Sequence, residues 1–596
     1  MCSRAMAVQE TGDRNQQAGV GWCAGLALAG GRHLSARSRL VWAVALLGAA
    51  ALVGGPASRG AEPLFYPDDP ILIDDDTLFD AGGIRERPGS AYYDFVENTF
   101  LTPGENRDVR AMNINTADEV PDSSWFTNRL GHRPLSLEEL TRGPNRVDRL
   151  SVEGWPIVEG KGQGRTPGWR VADPDGQIYQ IEFDEERFPE RISGAEVIGT
   201  LFYHAIGYHV VETYLVEIDP ARIVLAPDVT LEVEGAVRPF TRLDVEEVLD
   251  RAARLPNGNY RAIASRFADG DPLGPFRYYG TRPDDPNDIV AHEHRRELRG
   301  NRVFASWLNH VDSRGVNSLD MLVGPVGGRH VRHYLFDFGS IIGGGPGVAS
   351  QPRAGNEYIL DWGKGFKTLA SLGLYRRPWL RVQYPDTPRS VGRFEAESFD
   401  PRAWRPEYPN PAFRNLMLDD AYWAARIVSR FSDAAIRAVV GEARYSDPRA
   451  SAHVADTLIA RRDAIARLWL NELNPIHDPR LDGQGRLTFD NAAVDAGVAS
   501  EPTDYVLTWY RVDNATGEHT QVGEEIWITG PQGRMPAPLG ADAYVAVLVR
   551  GIHPVLFGWL RAARVHFRRT AGGWETVGIE RAFDERVPVT RRPDRE

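Results

Sequence analysis

Cysteine is nearly missing from this chain. The 596 residues hold two, Cys2 and Cys23. Both precede an apolar run, so a chain cleaved after that run has no disulfide, no thiol nucleophile and no Cys-ligated metal. Lysine is almost as scarce: only Lys161, Lys364 and Lys367 occur, a bias that fits a GC-rich genome. Basic charge is short overall, with 69 Lys and Arg against 82 Asp and Glu and a formal net charge of −13. No long basic run offsets this, which argues against a nucleic-acid partner. Long apolar runs are missing with one exception, Leu40 to Val53 (LVWAVALLGAAALV), short for a membrane span. Arg37 and Arg39 precede it and Gly55-Pro56-Ala57 follows, the order of n-region, h-region and cleavage site in a signal peptide. Left uncleaved, the same run is an anchor, and only then does the leader meet a membrane. Export without disulfides fits a periplasmic or secreted protein of a bacterial envelope.

The length predicts two to four domains. After a leader at 1–57, residues 58–150 read as an irregular extension rich in Asp, Asn and Pro. Asp74-Asp75-Asp76 lacks the Gly and Glu of a calcium loop and reads as a solvated turn. Trp125 and Phe126, set among polar residues, read as an arm packing its aromatics on the main body. Residues 157–184 read as three strands. The first enters Gly160-Lys161-Gly162-Gln163-Gly164, and the last is Ile178 to Phe183, alternating as a strand should. Glycines there let backbone N–H groups approach phosphate closely. Residues 193–207 read as a helix, with Ser193 and Glu196 spaced as a capping box. Residues 219–258 read as an insertion. Tyr260 to Phe267 and Pro275 to Tyr279 read as a hairpin, and 288–308 as a helix. His292-Glu293-His294 is not HExxH, and a helix would splay the two histidines, so zinc is not expected.

Residues 350–475 read as mostly helical. From 479 to 587 short strands alternate with turn signals, predicting a small all-β sandwich with Trp509, Trp527 and Trp559 in its core. The tail, 588–596, is charged and reads as disordered.

The stretch Arg299 to Gly345 carries the chemistry. His310-Val311-Asp312 is followed by Asn317, and Asp337-Phe338-Gly339 follows a strand pair at Ser318 to Val323 and Val331 to Phe336. A carboxylate can orient an acceptor hydroxyl, and Mg²⁺ or Mn²⁺ takes hard oxygen ligands such as Asn317 and Asp337 offer. This segment resembles the catalytic and metal-binding loops of the protein-kinase-like superfamily, most closely its atypical branches, the HipA-like and secreted kinases. The resemblance implies an α+β fold. It has a two-lobed kinase-like domain, with a small lobe at 151–287 and a helical large lobe at 288–478, and the β domain follows. It implies ATP with Mg²⁺ or Mn²⁺ as cofactors and an unidentified protein or small-molecule acceptor. Asp312 becomes the acceptor-orienting residue and Asn317 and Asp337 the metal ligands. Gly160, Lys161, Gly162 and Gly164 cover phosphates, and Glu196 orders the small lobe.

One position departs from the pattern. The strand site that should carry lysine is Glu182, which repels phosphates and Glu196 unless a cation intervenes. Three accounts remain: Lys161 supplies the charge from the glycine loop, a metal bridges Glu182 and Glu196, or catalysis is lost. The last leaves a pseudokinase scaffold that binds a partner protein or a glycan. A third class is a surface-binding protein whose β domain does the work.

Overall fold

A computed structural model of the protein describes residues 62–581 apart from 163, 165, 234 and 346–348. The leader with its apolar run, both cysteines and the charged tail lie outside the described residues. The fold is mixed α+β with several sheets. Contacts divide the chain into two compact units. Of the described residues, one holds 62–64 with 513–517; in it Leu64 N–H donates to Asn514 C=O at 2.8 Å, and Asp513 Oδ1 caps the turn through Ala515 N–H at 2.9 Å. The other holds 65–512 with 518–581.

Seven strands form the first sheet: β1 (Pro156–Gly160), β2 (Gly168–Ala172), β3 (Ile178–Phe183), β4 (Thr213–Ile218), β5 (Val224–Val233), β6 (Ala236–Pro239) and β7 (Tyr260–Arg266). Their order is β4-β7-β3-β2-β1-β5-β6, antiparallel except for β1 beside β5. The alternation of β3 buries Tyr179, Ile181 and Phe183 with Trp169, Tyr214 and Val245. Glu182 therefore points to the opposite face, beside its cross-strand neighbour Ile263, which belongs to a different core. That second face is covered by helix α1 (Arg191–Ile206), which buries Ile198, Leu201, Phe202 and Ala205. Within the 219–258 segment, β5 and β6 extend the sheet, and helix α2 (Arg242–Asp250) packs on it through Val245 and Leu249.

The second sheet has the order β10-β9-β8, with β8 (Asp271–Gly274), β9 (Ser318–Val323) and β10 (His330–Leu335). The expected hairpin of 260–267 with 275–279 is thus corrected: β7 joins the first sheet and β8 pairs with β9. Helix α3 (Arg296–Leu308) starts later than expected. His292–His294 is a separate 3₁₀ turn, because the His292 ring is tied at Nε2 to Asp288 Oδ2, 2.8 Å away. Helices α4 (Leu418–Ser429), α5 (Asp433–Gly441) and α6 (Pro448–Trp469) complete a helical region whose core includes Trp307, Trp423, Phe431 and Trp469.

The C-terminal strands form two further sheets. One is β11-β12-β16, from β11 (Ile476–Leu481), β12 (Arg486–Asn491) and β16 (Gln532–Arg534). The other runs β14-β13-β17-β18-β19, from β13 (Asp504–Val512), β14 (His519–Gln521), β17 (Tyr544–Ile552), β18 (Ala563–Thr570) and β19 (Gly573–Glu580), with β15 (Ile526–Ile528) also on β13. They share one apolar core that includes Phe489, Leu507, Trp509, Val547 and Phe567. Of the three tryptophans expected inside, Trp509 and Trp559 are buried and Trp527 is 60% exposed. Trp559 belongs to the helical region's core, not to the β core.

The 62–150 arm packs as expected at its aromatics. Trp125 stacks on His333 with centroids 3.4 Å apart, and Phe126 meets Tyr208 and Trp423. Asp76 corrects the solvated-turn reading. It is buried and accepts Ser124 Oγ–H at 2.6 Å, pinning the arm. Among the described residues no helix is long and apolar enough to cross a membrane.

Candidate functional site

The β9–β10 hairpin does the first positioning. Ser318 pairs with Leu335, and Phe336 N–H continues the ladder to Asn317 C=O at 3.3 Å. Asn317 just before β9 and Asp337 just after β10 therefore emerge at the same end of one hairpin. The loop from α3 closes on them. Asn309 ends α3 in the left-handed region, φ 55°, and Asn317 Nδ2–H donates back to Asp312 C=O at 2.9 Å. His310 is a buried support: its Nδ1 lies 3.2 Å from Tyr203 Oη, and burial pushes its pKa down to about 3.

Asp312 is gripped on both oxygens by Arg314, Nε to Oδ1 at 2.6 Å and Nη2 to Oδ2 at 3.0 Å. Even so, its pKa is pushed up to about 7. Burial is the main cause, Glu407 and Asp337 add to it, and Arg314 and Asn317 oppose it. A carboxyl so placed changes charge near neutrality, where a proton acceptor is most useful.

Asp337 sits at φ 63°, a strained value for a non-glycine residue. Its side chain is open to solvent yet closely surrounded, as on a concave surface, and burial with the Glu182 charge raises its pKa. Phe338 turns inward and stacks on Tyr203 at 4.6 Å and 21°. Room for it comes from Gly199 on α1, where a Cβ would lie 2.3 Å from that of Phe338. Glu196, one turn earlier on the same face, lies by the backbone N–H groups of Phe338 and Gly339, which favour its charged form. Its carboxyl is held well above the usual range by burial, by Asp337 and by Glu182. Both Glu196 Oε2 and Asp337 Oδ1 lie within 4 Å of where a Gly339 side chain would begin, at 3.7 and 3.9 Å.

The capping-box reading of Glu196 is therefore corrected. The helix begins two residues early, and Asp184 caps it instead, accepting Ile192 and Ser193 N–H at 2.9 Å each and Ser193 Oγ–H at 2.5 Å. That frees Glu196 to reach the Asp337 loop.

Lys161 reaches back from the glycine loop to pair with Glu182, and its Nζ also donates to Thr166 C=O at 3.1 Å. The charge that the relocated-lysine account calls for therefore lies against Glu182. Two of the glycines also have a packing reason. A Cβ at Gly162 would lie 1.5 Å from Glu232 C=O, and one at Gly160 2.5 Å from Phe240. These two pack the loop against β5 and the start of α2. Gly164, at φ +81°, folds over Lys161, its Cβ position 3.3 Å from Nζ.

The structure thus gathers Lys161, Glu182, Glu196, Asp312, Asn317 and Asp337. It adds members that the sequence reading missed. Arg314 was legible in principle as the only cation between Asp312 and Asn317. Glu407, which lies 3.7 Å from Arg314 Nη1, and the Asp94–Tyr408 pair come from distant segments and left no local signal. Elsewhere, His477, Asp478 and Asp490 on the β11–β12 pair gather ligand atoms within 4.8 Å, and a cavity of about 560 Å³ lies between Glu119, Trp423, Arg426 and Arg581. Comparison with family models, with curated proteins and with solved structures found no match.

Proposed function

We propose that this chain is an exported, atypical kinase-like protein that binds ATP with Mg²⁺ or Mn²⁺ and transfers a phosphoryl group to a protein or small-molecule acceptor. In this reading the first sheet with α1 is the small lobe, α3 to α6 form the large lobe, and the C-terminal sheets are a β-sandwich. The observation that carries it is the convergence of Asp312, Asn317 and Asp337 at one hairpin end, with Glu196 beside the backbone after Asp337. Asp312 orients the acceptor hydroxyl and takes its proton. With Asn317 Nδ2–H committed to Asp312 C=O, the amide oxygen and the Asp337 carboxylate are the hard donors left for a divalent cation. The crowding fits such an ion: Glu182, Glu196 and Asp337 share one lysine, and burial together with their mutual repulsion raises the pKa of both Glu196 and Asp337. A bound cation supplies charge neutralisation for the transferred group.

A second reading, a pseudokinase scaffold binding a partner or glycan, is favoured by Glu182 occupying the strand position of the phosphate-binding lysine. Thermal unfolding with and without ATP and Mg²⁺ or Mn²⁺, beside Asp337→Ala, separates the two. Ligand at about a hundred times its dissociation constant stabilises by roughly 2.7 kcal/mol. A metal-dependent shift lost in Asp337→Ala is expected. No shift in the wild type transfers the weight to the scaffold.

A further inference from the structure

A second surface stands apart from the carboxylate cluster. Helix Trp362–Ala370 buries none of its residues. Trp362, Phe366 and Leu369, at i, i+4 and i+7, form one apolar stripe and are 68, 71 and 74% exposed. Leu372 and Leu374 continue it at 92 and 85% exposure. A neighbouring segment widens it: the Phe100 ring lies 6.5 Å from that of Trp362, and Tyr92, Tyr93 and Leu101 of the same 91–101 stretch are also exposed. Apolar surface on this scale, left uncovered, marks an interaction site.

Charge identifies the occupant. Residues 361–381 hold five basic side chains and one acidic one, in a chain whose net charge is −13, and two of its three lysines lie here. Lys364 and Arg377 pair with Glu357, but Lys367, Arg376 and Arg381 are exposed and make no ion pair with a described residue. Leucines with Trp and Tyr rings, flanked by free cations, are what an interfacial helix presents to an anionic bilayer. A second copy meeting face to face would oppose these cations to themselves. The apolar run at 40–53 could cover the leucines but has no acid to answer the cations.

We propose that this face docks on an anionic lipid surface. The docking is carried by these residues alone and stands whether or not the chain transfers phosphate. The surface is linked to the loop of Asp312, since Ile359 N–H donates to Glu407 C=O at 2.7 Å and Glu407 N–H to Val311 C=O at 2.9 Å.

The test uses the full chain with Cys2→Ser, Cys23→Ser and Leu369→Cys, labelled at 369 with an environment-sensitive fluorophore. Because Leu369 is largely exposed, the substitution leaves the core untouched. Vesicles of phosphatidylglycerol and phosphatidylcholine in equal parts, carrying nitroxide lipids, are expected to blue-shift and quench the label. The effect should fall several-fold on pure phosphatidylcholine and with Lys367→Glu, Arg376→Glu and Arg381→Glu combined. Vesicle binding with the label unquenched means the leader alone binds and overturns the proposal. So does a label that becomes buried with rising protein concentration and no lipid, which assigns the face to a second copy.

Discussion

Asp312 is the residue on which the pH behaviour turns. Its pKa is pushed up to about 7, above the ordinary carboxylate value near 4. A raised carboxyl binds its proton more tightly in the folded chain than in the unfolded one. Between about pH 4 and 7 the folded state therefore holds more protons, and stability falls as pH rises. The penalty is absent at low pH and full above about 7. We expect Asp312→Asn to lose transfer activity while its Tm declines less than that of wild type across this window. Parallel Tm–pH curves would refute the burial of this charge. Wild-type activity should rise over the same window as Asp312 ionises. Lys161 gives a second residue-scale outcome. Lys161→Ala leaves three carboxylates uncompensated and should abolish nucleotide binding, and adding Glu182→Lys should restore it by placing the ammonium on β3. If the double variant stays silent in calorimetric titration with ATP, the lysine works through its loop position and not through its charge.

At the scale of elements, α1 acts as the ruler of the site. Glu196, Gly199 and Tyr203, spaced by three and four residues, lie on one face and meet the Asp337 loop in turn as neighbouring carboxyl, gap and stacking ring. Gly199→Val should push Phe338 out, costing about 1–3 kcal/mol in urea denaturation and reducing metal-dependent ATP affinity together with stability. Loss of stability with affinity intact would mean that the loop tolerates displacement. The helix was legible from its apolar periodicity. Its start was not, because Ser-x-x-Glu fits both a capping box and a helix that begins earlier under an acid from β3's end. Choosing between them requires knowing that Asp184 arrives there, a tertiary fact.

For the whole molecule, buried charge and one tryptophan bind distant segments. Arg296 on α3 pairs with Asp118 of the arm at 2.6 Å, with Asp419 at 2.6 Å and with Asp420 at 3.1 Å, and Arg581, next after β19, reaches Asp118 at 3.1 Å. Removing one member of such a buried group typically costs about 3–5 kcal/mol, since the rest stay buried and unpaired. Arg296→Met should lower the denaturation midpoint accordingly. The same wiring bears on the β domain. Because Trp559 lies in the helical core and Arg581 pairs with the arm, isolated 479–596 is expected to be poorly folded by near-ultraviolet circular dichroism. The intact chain should melt in one transition. A sharp independent melt of the fragment would revive a free-standing binding module.

The sequence by itself determined the local pieces: three strands around Ile178 to Phe183, the hairpin at 318–335, the long helix at 448–469 and the two loops flanking that hairpin, one with Asp312 and Asn317 and the other with Asp337. Alternation, apolar periodicity and turn residues act within a few positions, so they can be read from the chain. Only the tertiary structure decided which partner each charge meets. Lys161 finds Glu182 across a glycine turn, Glu196 finds the Phe338 backbone instead of its own helix end, and Tyr408 finds Asp94. Trp527 lies outside and Asp76 inside for the same reason. Burial and pairing are set by whichever segments pack against a residue, and those segments lie tens to hundreds of positions away.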